Sequence, residues 1–106
     1  MGNREYHKLV RDHIPRIITE SGKSAVTRIL PAAEYRAALN AKLLEETNEY
    51  LASEDAEELA DILEVIRAIA ELNGISPDTL EAIRARKHEK NGGFRQRIYL
   101  ESVKTD

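Results

Sequence analysis

Two short groups of acidic residues in the middle of the chain have the types and the spacing to bind a metal ion. Glu45, Glu46 and Glu49 form the first group, and Glu58 and Asp61 form the second. On a helix, residues three positions apart share a face, so each group presents a pair of carboxylates together. Carboxylate oxygens are hard ligands that favour Mg²⁺ or Mn²⁺, and a chain with no cysteine and only 3 histidines offers little for a zinc site.

Two helices joined by a tight turn would bring these groups together. Helix-forming residues on both sides of residues 53 and 54 predict such a turn. In an antiparallel hairpin about it, Glu49 lies level with Glu58, and Glu46 lies level with Asp61. Both of these residue pairs lie within roughly three helical turns of the loop. The two carboxylate pairs would then present four carboxylates to one cation.

Apolar neighbours indicate that the acidic pairs face each other. Glu46 lies on the apolar side of the first helix of the hairpin, and Glu58 and Asp61 lie on the apolar side of the second. The apolar residues that mark these sides are Leu39, Leu43 and Tyr50, then Val65, Ile69 and Leu72. Unpaired carboxylates are costly there, and a divalent cation removes that cost. The alternative is a solvated cluster that only complements the dipole of the second helix.

The remaining signals predict an all-α fold, an antiparallel bundle of about four helices. The predicted helices span residues 12–20, 32–52, 54–73 and 77–91. Asp12, Ser53 and Ser76 are the expected N-caps. Residues 25–30 and 97–100 are typical of short strands, which would pair into a two-stranded ribbon.

The third predicted helix is apolar around most of its circumference. Its outward polar residues form one narrow stripe, which consists of Glu57, Glu64, Arg67 and Glu71. A helix of this kind is buried from more than one side. Because a chain of 106 residues has few other elements to cover it, we expect a homo-oligomer, a dimer or a tetramer. The alternative is that the first and fourth helices cover it within one chain.

Length and composition exclude several classes of protein. A chain of 106 residues has room for one core, so we expect a single domain over residues 1–106. With 16 basic and 19 acidic residues, the net charge of −3 does not predict the positively charged surface that binds duplex nucleic acid. No uncharged run exceeds six residues, so neither a membrane span nor a secretory signal is expected. We therefore expect a cytoplasmic protein.

The acidic groups match the motif EExxE followed by ExxD, and the chain thereby resembles the MazG-like, all-α nucleoside triphosphate pyrophosphohydrolases. The flanking segments YHKLVRD at residues 6–12, GGF at 92–94 and IYL at 98–100 are similar to a subgroup often named phosphoribosyl-ATP pyrophosphohydrolase-like. The three blocks together extend the resemblance over nearly the whole chain. The gap of eight residues between Glu49 and Glu58 is shorter than is usual in the family.

The resemblance implies a reaction and a set of site residues. The reaction is hydrolysis of a nucleoside triphosphate between the α and β phosphates, which yields the monophosphate and pyrophosphate. Glu46, Glu49, Glu58 and Asp61 correspond to the ligands of Mg²⁺, with Mn²⁺ as a substitute. Glu45 supports these ligands or orients the attacking water, so Glu45 and Glu46 are the expected catalytic residues.

A triphosphate also requires positive charge, because four carboxylates around one ion leave a negative site. The candidate substrate-binding residues are Lys8, Arg11, Arg84, Lys87, Lys90, Arg95 and Arg97. For the fourth helix the alternative is that basic residues merely complement the dipole at its C-terminus.

Two other functions fit the same residues. The first keeps the chemistry and changes the substrate to phosphoribosyl-ATP, an intermediate of histidine synthesis. The second is a non-catalytic helical assembly module whose acidic hairpin is a solvated surface.

Overall fold

The computed structural model describes residues 4–105, and this part of the chain contains four α-helices. α1 spans Ile14–Glu20, α2 spans Ala32–Ser53, α3 spans Ala56–Leu72 and α4 spans Pro77–Asn91. The prediction of an all-α fold is confirmed, and every helix lies within two residues of its predicted bounds. None of these four helices is long and apolar enough to cross a membrane.

α2 and α3 form an antiparallel hairpin with a two-residue connection. Glu54 adopts a left-handed conformation with φ 57° and ends α2, and its N–H donates to the carbonyl of Tyr50. Asp55 is extended and is the N-cap of α3. At the other end of the hairpin, Arg36 donates a 2.8 Å hydrogen bond to the side chain of Asn73. The two helices therefore pack side by side over most of their length.

Two of the three predicted N-caps are wrong. α1 is capped by His13 in place of Asp12, and α3 is capped by Asp55 in place of Ser53. The Ser53 hydroxyl accepts a hydrogen bond from the N–H of Asp55, so it closes the turn and cannot cap the helix beyond it. A good capping residue therefore marks the turn in the sequence without fixing the first residue of the helix.

α4 begins and ends as predicted. The Ser76 hydroxyl accepts a 3.1 Å hydrogen bond from the N–H of Thr79, and Pro77 occupies the first turn. Gly92 follows the last helical residue with φ 83°, a conformation that glycine adopts without steric cost. In the described part of the chain, α4 contacts α3 and does not contact α2.

The predicted two-stranded ribbon does not form, because no strand occurs within residues 4–105. Residues 25–30 have no regular secondary structure, and Val26 is fully exposed. Within residues 97–100, Arg97 has a φ of 55°, and its N–H donates to the carbonyl of Phe94, which closes a turn. Strand-forming residues become a sheet only when a second segment supplies the hydrogen bonds, and no segment of the described chain does so.

The core is narrow and the molecule is elongated. Leu39 of α2 and Val65 and Ala70 of α3 are its buried apolar residues among those described. The radius of gyration is 18.9 Å, whereas a compact domain of this length has about 13 Å. No residue of α1 comes near another helix in the described chain, so only α2 and α4 cover α3. Leu59 and Leu63 of α3 consequently remain about half exposed.

Candidate metal centre

The side of α2 that faces α3 carries a buried carboxylate. Leu39 and Glu46 lie seven residues apart on this side and are 3% and 6% exposed. Leu43 and Tyr50 continue the same side and are partly buried. Glu46 is therefore held between the helices by the apolar pattern of α2, as its spacing predicted.

Five carboxylates converge at this point, and we call them the acidic cluster: Glu45, Glu46, Glu49, Glu58 and Asp61. They form two overlapping groups that share Glu46. Oxygens of Glu46, Glu58 and Asp61 lie within 4.8 Å of one another, and so do oxygens of Glu45, Glu46 and Glu49. The arrangement differs in detail from the predicted levels, because Glu46 meets both acidic residues of α3 while Glu49 groups with its own helix.

Two carboxylate oxygens in the acidic cluster are buried without a partner. Glu46 Oε2 and Glu58 Oε2 are shielded from solvent and accept no hydrogen bond from any described residue. A buried carboxylate oxygen with no donor is costly, and native proteins rarely tolerate one. Together with Asp61, Glu46 and Glu58 form a group that could hold a metal ion between the two helices. The donor set therefore fits Mg²⁺ or Mn²⁺.

Lys42 is the site residue that sequence reasoning missed. Its ammonium lies 3.3 Å from Glu45 Oε2 and 3.2 Å from Glu46 Oε1, and its side chain is only 16% exposed. The signal was present, because Lys42 stands three and four residues before these glutamates and such residues meet on one helix face. Lys42 supplies a fixed positive charge on the α2 side of the acidic cluster.

The pKa values of this pair follow from burial and from their contact. Burial raises the pKa of Glu46, the ammonium of Lys42 opposes that rise only in part, and the carboxylate of Glu49 adds to it. For Lys42, burial lowers the pKa, but the hydrogen bonds and charges of Glu46 and Glu45 outweigh it and the pKa is raised. Burial thus makes Glu46 harder to ionise than an ordinary glutamate, even with Lys42 beside it.

Lys8 and Arg11 reach the acidic cluster from the segment before α1. Lys8 Nζ lies 3.6 Å from Glu45 Oε1, and Arg11 Nη2 donates a 2.6 Å hydrogen bond to Asp61 Oδ1. The structure therefore brings both predicted phosphate-binding residues to the site, where their partners are carboxylates.

The other candidate basic residues do not meet the acidic cluster. Arg84 of α4 is bound by Glu81 one turn away, with a shortest contact of 2.7 Å. Hydrogen bonding to this guanidinium lowers the pKa of Glu81. The remaining candidates, Lys87, Lys90, Arg95 and Arg97, are exposed and form no ion pair within residues 4–105. Arg95 lines an open cleft at the end of α4 with His88 and Phe94.

The charges at the site are unequal. The acidic cluster has five carboxylates, and three cations touch it: Lys8, Arg11 and Lys42. When all eight groups are ionised, two negative charges remain. The cluster is therefore negative overall, and a divalent cation carries charge of the opposite sign.

Comparison with known proteins yields one partial likeness. No family model matches the chain, and no solved structure matches it. A curated relative from Mycolicibacterium smegmatis, described as an uncharacterized protein, is 51% identical over 47 residues. These residues are 44% of this chain and 48% of the relative, so the chain spans about half of that relative's length. The functional conclusion therefore depends on the geometry of the acidic cluster.

Proposed function

We propose that this chain is a Mg²⁺-dependent nucleotide pyrophosphohydrolase that cleaves a nucleoside triphosphate between the α and β phosphates. The observation that carries the proposal is the pair of buried oxygens, Glu46 Oε2 and Glu58 Oε2, which accept no hydrogen bond from the described residues and belong to carboxylates grouped between the two helices. The motif resemblance supplies the reaction. The alternative assembly module gives no reason to bury carboxylate oxygens that lack a donor.

Each carboxylate has a distinct place in the proposed site. Glu46, Glu49, Glu58 and Asp61 would hold the divalent cation. That ion would neutralise phosphate charge and lower the pKa of an attacking water. Glu45 is partly exposed, with 32% of its side chain accessible, so that it could orient a water. Lys42 holds Glu45 and Glu46 in place through its two contacts.

The test replaces two proposed ligands without changing their shape. In Glu46→Gln and in Asp61→Asn we expect Mg²⁺-dependent pyrophosphate release to fall by at least about a thousandfold, because ligand loss misplaces the ion and the triphosphate. In the parent, Mg²⁺ at about 100 times its Kd adds about 2.7 kcal/mol to the free energy of unfolding, and the variants lose this gain.

The matched control is Glu64→Gln on the exposed stripe of α3. This variant should keep both the Mg²⁺-dependent pyrophosphate release and the gain in free energy of unfolding that Mg²⁺ gives the parent. If both ligand variants turned over and bound Mg²⁺ like the parent, the proposal would be wrong. Activity on phosphoribosyl-ATP with none on common triphosphates would identify phosphoribosyl-ATP as the substrate, and the proposed metal site would stand. A parent with no Mg²⁺ response would favour the assembly module.

We also infer that the chain is a homo-oligomer. Its accessible surface is 9969 Å², whereas a compact monomer of 12 kDa exposes about 6,000 Å². The excess is large enough for a permanent interface with a second copy. Five apolar residues of the hairpin are exposed by 36% to 68%: Leu44, Leu51, Leu59, Leu63 and Ile66. Helical spacing places them on one side of α2 and α3, away from Asp61 and Lys42.

A further inference from the structure

Residues 8–11, which we call the N-terminal strap, cross both helices of the hairpin beside the acidic cluster. Lys8 at one end contacts Glu45 of α2, and Arg11 at the other end contacts Asp61 of α3. Three residue steps can span at most about 10 Å, which is enough to cover the distance of about 8–10 Å between the axes of packed helices. The strap is therefore the right length to place one cation on each helix.

Arg11 binds a carboxylate that belongs to the proposed metal site. Its guanidinium donates to Asp61 Oδ1, and a carboxylate oxygen of Asp61 lies within 4.8 Å of carboxylate oxygens of Glu46 and Glu58. A divalent cation on Asp61 would lie next to the guanidinium, and like charges at that separation repel. The Arg11 side chain is 54% exposed and forms no second hydrogen bond within the described residues. It is thus attached to the site at one point and can turn away.

We propose that Arg11, assisted by Lys8, exchanges partners when the site is loaded. In the ion-free chain the strap neutralises Asp61 and Glu45. When a divalent cation binds the cluster, Arg11 leaves Asp61 and binds the anionic phosphates that arrive with the metal, for which its planar donor fork is suited. This inference rests on the proposed metal site and assigns to the strap both an inhibitory contact and a substrate contact.

The exchange predicts effects of opposite sign from a single substitution. Without the guanidinium, the metal meets no competitor at Asp61, so Arg11→Gln should bind Mn²⁺ alone about threefold more tightly. The same variant lacks a charged donor for phosphate, so its affinity for inorganic triphosphate at saturating Mn²⁺ should fall about tenfold. A residue that only stabilises the fold would weaken both affinities.

The experiment measures Mn²⁺ binding by electron paramagnetic resonance and triphosphate binding by calorimetry in four proteins. They are the parent, Arg11→Gln, Arg11→Lys and the control Arg28→Gln. Arg28 forms a 3.0 Å ion pair with Glu34, and neither residue belongs to the acidic cluster. The Arg28→Gln variant should therefore match the parent in both affinities. Arg11→Lys keeps the charge, and we expect parent-like Mn²⁺ affinity with triphosphate binding reduced about threefold.

Each outcome decides between the two proposals. If Arg11→Gln binds Mn²⁺ no more tightly than the parent, or keeps its triphosphate affinity, the exchange is wrong while the metal site stands. If the parent itself binds no Mn²⁺, the proposed function fails first. Arg11→Ala provides a second neutral variant in case the glutamine substitution unfolds the chain, and melting curves identify that case.

Discussion

At the scale of single residues, the site is defined by one carboxylate that the fold buries and only partly compensates. Glu46 is 6% exposed, and Lys42 binds only its Oε1. Glu46 Oε2 and Glu58 Oε2 have no donor. A buried pair with an unsatisfied oxygen adds little stability, since desolvation offsets the attraction between the charges. The arrangement is costly as a structural ion pair, and the proposed cation would remove that cost.

The raised pKa of Glu46 predicts how stability depends on pH without metal. The folded chain binds a proton at Glu46 more readily than the unfolded chain does. The stability from this group is therefore complete below its ordinary pKa of 4.5 and is lost as the pH rises through the raised value. Glu46→Gln cannot ionise, so in EDTA it should gain stability relative to the parent from pH 4.5 to 7.5.

Urea denaturation across that pH range measures the difference. Glu64→Gln serves as the comparison, because Glu64 is exposed and its variant should follow the parent at every pH. With saturating Mg²⁺ at neutral pH, the parent should be more stable than Glu46→Gln, because only the parent gains the free energy of metal binding. A constant difference between Glu46→Gln and the parent in EDTA would contradict the assignment.

At the scale of elements, the hairpin turn sets the register that brings the acidic residues together. Glu54 ends α2 with φ 57°, a left-handed conformation that costs an ordinary side chain about 1 kcal/mol and costs glycine little. Glu54→Gly should therefore stabilise the chain by up to about 1 kcal/mol, since glycine is the preferred residue after a helix. Urea denaturation measures this gain.

The control for the turn is Glu57→Gly in the first turn of α3, a helical position. There glycine should cost up to about 1 kcal/mol. Both variants should keep the Mg²⁺ response, because neither touches the acidic cluster. A Glu54→Gly variant that lost stability as Glu57→Gly does would show that the turn depends on the Glu54 side chain.

The elements also show which parts of the structure the sequence could predict. Helices follow from residue propensities and caps a few positions apart, and all four were found. The strands predicted at 25–30 and 97–100 do not form, because a strand depends on a partner segment that local residues do not specify. Glu46 could be placed between the helices from its apolar neighbours. The contact of Arg11 with Asp61 spans fifty positions and has no local signal.

At the scale of the whole molecule, the chain exposes more apolar surface than a single domain of its size should. α4 contacts only one helix among those described and α1 contacts none, so the outer side of the hairpin stays uncovered. The acidic cluster opens on the other side of the hairpin, by helical spacing. A second copy could therefore cover the leucines without blocking the metal site, and assembly and metal binding should be separable.

That separation is the last prediction. The parent should run as a dimer or a tetramer in analytical ultracentrifugation at micromolar concentration, and Leu59→Ser with Leu63→Ser should dissociate it. The cost of losing two apolar anchors is about 2 kcal/mol or more of association free energy. Val26→Ser removes a fully exposed apolar residue outside the hairpin and should leave the assembly intact. Mn²⁺ binding should survive dissociation, because every carboxylate of the cluster comes from one chain. A parent that sediments as a monomer would show that the exposed leucines have another partner.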